Sequence, residues 1–155
     1  MQNIALDQLD RKILAIVQES NLTPHREIAE SVGLSAPAVT RRLKRLRAEG
    51  VIRQDVSLLN ATVLGRPLVL IVQVVADSEQ ISELDEMRHA FNSCPQIQQC
   101  YYVTGEADFI LIFNVRDMSE YEQLTRTMFL QNDNVRRFTT FVSMETVKSS
   151  EKIIV

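Results

Sequence analysis

Six cationic side chains, Arg41, Arg42, Lys44, Arg45, Arg47 and Arg53, fall within residues 41–53 against one acid, Glu49. A guanidinium pairs at two points with guanine or phosphate, and an ammonium meets phosphate as a point charge. Cations at this density are suited to nucleic acid. Just ahead stand Ser35, Ala36, Pro37, Ala38 and Thr40. The small side chains let a backbone approach a large partner, and the threonine can meet a thymine methyl group or a phosphate.

A second set lies far along the chain. Gly105 shapes a turn whose backbone N–H groups can receive a carboxylate, while the acids Glu106 and Asp108 can receive an ammonium. Such a turn suits a zwitterion. No nucleophile–base pair, isolated carboxylate dyad or glycine-rich phosphate loop accompanies it, so no catalytic residue and no enzymatic role is expected. His25 and His89 lie far apart without a cysteine at ligand spacing, so neither a metal nor a cofactor is expected.

The basic run needs a helix to aim it. Val39, Leu43 and Leu46 recur at i, i+4 and i+7, one buried face, while Thr40, Arg41, Lys44 and Arg47 occupy another arc. Ser35 stands at the N-cap position, and the helix starts near Ala36 with Pro37 in its first turn. The helix before it is expected to open with Thr23 as cap and Pro24 at its first position, carry Arg26 outward and Ile28 and Ala29 inward, and stop at Gly33. Two helices about so short a turn form a helix-turn-helix, whose second helix enters the major groove. The expected DNA-facing set is Thr23, Arg26, Ser35, Ala36, Pro37, Ala38, Thr40, Arg41, Lys44, Arg45, Arg47 and Arg53. Arg41 and Lys44 lie on the open arc; Arg42, near the buried face, is expected to pair internally or touch backbone.

Asp7 caps a further helix over about 8–19, with Leu9, Ile13, Ile16 and Val17 at helical spacing, which completes a trihelical head. Val51–Leu58 reads as a strand, a small wing carrying Arg53. Asn60–Pro67 has the Asn, Gly and Pro of a linker, which sets the expected domains at 1–60 for the head, 61–67 for the linker and 68–155 for the rest.

Beyond the linker, Leu68–Ala76 is a β-branched strand, 79–92 a helix, Ile97–Thr104 and Asp108–Val115 two strands, Met118–Leu130 a helix and Val135–Val147 a last strand. The order βαββαβ is the split, ferredoxin-like arrangement, with helices on one face of an antiparallel sheet. Its other face needs cover, and self-association is the simplest. The fold class is α+β.

The chain has 155 residues, 45% hydrophobic and 24% charged, with net charge −3. That composition fits one domain or two small ones. No apolar run is long enough for a signal peptide or a membrane span, so a cytoplasmic location is expected. Cys94 and Cys100, the only cysteines, read as reduced packing residues.

Five segments in this order resemble the Lrp/AsnC, or feast/famine, family of leucine- and asparagine-responsive regulators. They are LDQLDRKIL at 6–14, REIAESVGLS at 26–35, RRLKRLRAEGVI at 41–52, VTGEAD at 103–108 and TFVSMETVKSS at 140–150. The resemblance implies a winged helix-turn-helix followed by the ferredoxin-like RAM domain. It also implies a homodimer assembling into octamers, binding to several half-sites on double-stranded DNA, and transcription regulation by an amino-acid effector. The effector cleft of the family lies between sheets, which implies Gly105, Glu106 and Asp108 with Thr140, Phe141, Val142 and Ser143 facing them. Two departures stand out: Ala107 replaces a usual aromatic, and Phe138 a frequent threonine. The smaller Ala107 implies room for a bulkier effector side chain. Two other readings stay open: a DNA-architectural protein that ignores small molecules, and an enzyme on this scaffold, such as a haem-precursor decarboxylase. So does an amphipathic helix pair with a merely solvated basic face.

Overall fold

A computed structural model describes residues 4–155; residues 1–3, counted in the expected head, lie outside that range. The chain divides into two compact units. One runs to Leu58 and takes in Lys148–Val155, and the other is Leu59–Val147.

In the first unit, α1 (Gln8–Glu19), α2 (His25–Val32) and α3 (Ala36–Ala48) close on a small core. The apolar face of each meets the others: Ile13, Ile28, Ala29, Val39 and Leu43 are buried together, with Ile16, Val17, Val32 and Leu34 packed around them. The start of α1 is fixed by a capping box in which Asp7 accepts from the Asp10 N–H at 2.7 Å and Asp10 accepts from the Asp7 N–H at 3.2 Å. Gly33 ends α2 at φ 72°, and the Leu34 N–H returns to the Ala29 carbonyl at 2.9 Å. That turn needs the left-handed backbone that glycine adopts freely.

Two local expectations are corrected here. Pro24, with ψ 137°, is the cap residue of α2 and has no side-chain acceptor for a cap bond; its carbonyl accepts from the Ile28 N–H, and Thr23 instead donates to the Ser20 carbonyl at 2.8 Å. Val51–Leu58 forms no strand. Val51, Ile52 and Val56 are β-branched and suit a strand, but a strand exists only by hydrogen bonding to a neighbour, and no backbone edge of the described residues pairs with it.

The tail corrects a third. Gln18 clamps the backbone of Ile153 from both sides, donating to its carbonyl at 2.9 Å and accepting from its N–H at 3.2 Å, while Lys152 reaches Glu19 at 2.5 Å. Residues 148–155 therefore belong with α1 rather than with the sheet.

In the second unit, β1 (Leu68–Ala76), α4 (Ile81–Ser93), β2 (Ile97–Tyr102), β3 (Phe109–Val115), α5 (Met118–Thr125) and β4 (Val135–Val142) follow in the expected βαββαβ order. The sheet order is β2-β3-β1-β4, antiparallel at every pairing. Val72 opposes Leu111 on one side and Thr140 on the other. The pleat thus puts Leu70, Val72, Val74, Phe109, Leu111 and Phe113 on one face, where Leu84, Met87 and Phe91 of α4 and Tyr121 and Phe129 seal them. Phe91 meets Phe109 edge-on at 5.3 Å, and Phe113 meets Tyr121 at 5.6 Å. Cys94 packs against this core, whereas Cys100, expected as a packing residue, is exposed on the edge strand. The opposite sheet face leaves Ile71, Tyr101 and Phe141 exposed.

Some ends differ. The helix expected over Met118–Leu130 is α-helical only to Thr125; Arg126–Leu130 widens into a π turn closed by the Gln131 N–H on the Arg126 carbonyl at 3.1 Å. The last strand stops at Val142, not Val147: its ladder with β1 ends at the Leu70–Val142 pair, and the Ser143 N–H makes a last bond to the Val69 carbonyl at 3.0 Å. Residues 61–67 are no loose linker. Asn60 accepts from the Val63 N–H at 3.2 Å, the Arg66 N–H returns to the Ala61 carbonyl at 2.8 Å, and Asn114 holds the Arg66 carbonyl at 2.9 Å. The Arg66 side chain reaches buried Glu120 at 3.4 Å.

Candidate nucleic-acid interface

α3 is framed as its sequence requires. Ser35 caps it, accepting from the Ala38 N–H at 3.4 Å, and Pro37 lies in its first turn. Val39, Leu43 and Leu46 are buried, so the opposite arc faces outward. Pro37, Thr40, Arg41 and Lys44, at i, i+3, i+4 and i+7, are all exposed, while Ala36 and Ala38 are half-buried.

The structure sorts the basic residues by what they touch. Asp10, fully buried, receives both Arg42, at 2.8 Å, and Arg45, and Arg42 also reaches Asp7 at 2.6 Å. The Asp10 N–H, and after it the Arg42 guanidinium, hold the Asp7 carboxyl below the usual range; Asp7 and then Asp10 raise Arg42 in turn. Arg45 adds Glu49 at 3.7 Å. Arg47 lies in a fork on Asp55, Nε at 2.8 Å and Nη2 at 3.2 Å, which lowers the Asp55 carboxyl and raises Arg47. Arg26 pairs with Glu30 at 3.6 Å.

Among the described residues, Arg41, Lys44 and Arg53 are exposed and have no acidic partner. The outward field of the helix is thus carried by two of its cations, with Arg53 beyond its end. Arg42 pairs internally as expected. Arg45 and Arg47, expected toward DNA, are drawn to carboxylates.

Sequence reasoning missed these acids and His25. A signal was present for Asp10, a carboxylate three residues before Ile13 on the buried side of an amphipathic helix, which calls for a cation from elsewhere. Asp55 carries none, since its partner depends on how the chain turns after Gly50.

The second set is not gathered in one chain. Gly105, φ 135°, sits in the exposed turn between β2 and β3 beside exposed Glu106. Asp108 accepts from the Ala76 N–H at 2.8 Å, so its carboxylate pins the turn to the end of β1. Thr140 and Val142 pair opposite Val72 and Leu70, four or more residues back along β1, roughly 13 Å at strand rise. Thr140 bonds the Tyr121 hydroxyl on the helix-covered face; Phe141 projects to the other face, and the Ser143 hydroxyl donates to Glu145. Ala107 is buried, and Phe138 stacks on Phe129 at 4.7 Å. A shallow cleft of about 510 Å³ between the π turn and β4, lined by Phe129, Asp133, Arg136 and Phe138 among others, includes none of the seven expected effector residues.

Two family models match the chain. Residues 6–53 match a family model described as winged helix-turn-helix DNA-binding, and residues 69–153 one described as the Lrp/AsnC ligand binding domain. An HTH-type transcriptional regulator of Sinorhizobium fredii, itself uncharacterized, is 42% identical over 94% of this chain and 86% of its own. The leucine-responsive regulatory protein of Haemophilus influenzae is 34% identical over 99% of this chain and 92% of its own. A transcriptional regulator from Neisseria meningitidis, solved as a complex with L-Met, superposes with a TM-score of 0.90 at 25% identity, covering 96% of both chains. With a DNA-binding head, a ligand-binding sheet domain and regulators as its relatives, the chain belongs to the Lrp/AsnC family of transcriptional regulators.

Proposed function

We propose that the protein reads a near-palindromic DNA site as a dimer, with Arg41 and Lys44 of each α3 at base edges and Arg53 on the phosphate backbone. The carrying observation is the sorting of the cations: the outward arc of α3 keeps Arg41 and Lys44 free of carboxylates while Arg42, Arg45 and Arg47 are paired. Two α3 helices about 34 Å apart, one helical turn of DNA, supply the contacts one small head lacks. The exposed Ile71, Tyr101 and Phe141 on the open sheet face supply an apolar surface for self-association, and further stacking of dimers leads to an octamer. The protein acts on double-stranded DNA in the cytoplasm.

The effector is an amino acid. Its carboxylate meets the N–H groups of the turn at Gly105 and Glu106, and its ammonium meets the acids there. Since Thr140–Ser143 of one chain stand away from that turn, the last strand facing it comes from a second copy. Methionine, leucine or phenylalanine is expected to bind more tightly than alanine, by calorimetry on the purified protein; tighter alanine binding removes the large-side-chain reading.

Footprinting over the region upstream of the protein's own gene, with and without a pool of amino acids, tests both halves. The expected result is protection phased at one helical turn and altered by the pool. Phased protection that no amino acid alters leaves a DNA-architectural protein. Arg41→Ala is expected to relax preference at one base position, by about 1–3 kcal/mol. Arg53→Ala is expected to weaken all sequences alike and flatten the salt dependence by about one unit of slope. Variants that bind as the wild type does reject the assignment.

A further inference from the structure

Thr40 lies on the exposed stripe of α3, between Pro37 and Arg41, yet its hydroxyl is already engaged. Its Oγ1 is 3.0 Å from the Ala36 carbonyl oxygen and 2.8 Å from Nδ1 of His25, the first residue of α2. A carbonyl can only accept, so the single hydroxyl hydrogen goes to Ala36. What remains toward His25 is a lone pair, so Nδ1 must carry the ring proton and donate. The opposite assignment leaves two oxygens 3.0 Å apart with no proton between them. Only one arrangement satisfies both contacts.

The consequence concerns what Thr40 can offer DNA. Phosphate oxygens, thymine O4, and guanine O6 and N7 are acceptors, and the threonine has no hydrogen left for them. Its oxygen keeps one lone pair, which suits only the N–H donors of adenine or cytosine, and toward a thymine the group left to it is the γ-methyl. We propose that Thr40 is a specificity-determining residue that reads the C5-methyl of a thymine through its own methyl. His25 is the positioning residue that holds the hydroxyl away from DNA and ties α2 to α3. The inference rests on α3 being the base-reading helix.

The test uses the full chain and a duplex selected by the wild-type protein from a random library. Each thymine is replaced in turn by deoxyuridine, which differs only in lacking the methyl. At one position per half-site, wild-type affinity is expected to fall about fourfold, the worth of one buried methyl-sized group. Thr40→Val keeps an outward methyl and removes the hydroxyl, so it retains that thymine preference. Thr40→Ser keeps the hydroxyl and removes the methyl, so it binds thymine and uracil alike there. Melting temperatures confirm that both variants are folded.

A valine variant that loses affinity on every duplex, a serine variant that still distinguishes thymine, or a wild type indifferent to every uracil overturns the proposal. Arg41→Ala serves as the reference. If it shifts base preference while the Thr40 variants change nothing, only the thymine assignment fails. If it too changes nothing, the reading of α3 as the recognition helix fails with it.

Discussion

Asp10 is fully buried and takes two guanidiniums, from Arg42 and Arg45, so it anchors α1 to α3 by charge as well as by packing. Removing one partner of a buried ion cluster strands the others in a medium that solvates them poorly. Asp10→Ala is expected to destabilise the head by about 2–3 kcal/mol, below the range for a wholly buried cluster because Arg45 is partly exposed. Urea unfolding measures it. A change under about 0.5 kcal/mol shows that water replaces the carboxylate without loss. At this scale Arg41, Lys44 and the internal pairing of Arg42 were readable, because helical spacing alone tells an outward from an inward position. The occupation of Arg45 and Arg47 was not, because Asp10 and Asp55 reach them only through the folded path of the chain.

At the scale of elements, the extended run after α3 acts through Asp55. It forms no strand, but its carboxylate masks Arg47 at the end of α3. Asp55→Asn exposes that guanidinium, and the salt dependence of DNA binding is expected to steepen by about one unit of slope. Thermal stability should barely move, since exposed pairs contribute about 1 kcal/mol or less. Titration of a DNA duplex at several salt concentrations checks this, and an unchanged slope means that Arg47 never reaches phosphate. Helix and strand identities were readable throughout the sheet unit from periodicity. The lack of a strand at Val51–Leu58 was not, because β-branched residues describe a chain suited to pairing without supplying the neighbour. The π turn at Arg126–Leu130 escaped as well, since its apolar stripe continues that of α5 without a break.

For the whole molecule, Glu120 joins the segment before the sheet to the helical layer. The Arg116 N–H donates to it at 2.8 Å, and Gln96, the Arg116 side chain and Arg66 surround it. Foremost the Arg116 N–H lowers its pKa from 4.5 to about 2, against the opposing effect of burial. A carboxyl lowered on folding contributes stability that is complete above its unfolded value near 4.5 and lost as pH falls through about 2. Glu120→Gln should therefore lower stability at neutral pH and reduce the stability lost between pH 5 and about 2.5. Chemical unfolding at the two pH values measures the difference, and equal acid losses in both proteins rule out this group. The two-unit plan was readable from the change of periodicity near residue 60. The return of the tail to the head was not, since residues 148–155 carry no pattern that names α1 as their target.

That return has an outcome during biosynthesis. The bonds from Gln18 to Ile153 join positions 135 apart in sequence. The three helices can collapse as soon as they leave the ribosome, since their contacts are local. The clamp at Gln18 waits until the entire sheet domain has been translated. A nascent head is thus competent in its core while one of its surfaces still lacks its final covering, and maturation of the DNA-binding half is timed by completion of the ligand-binding half.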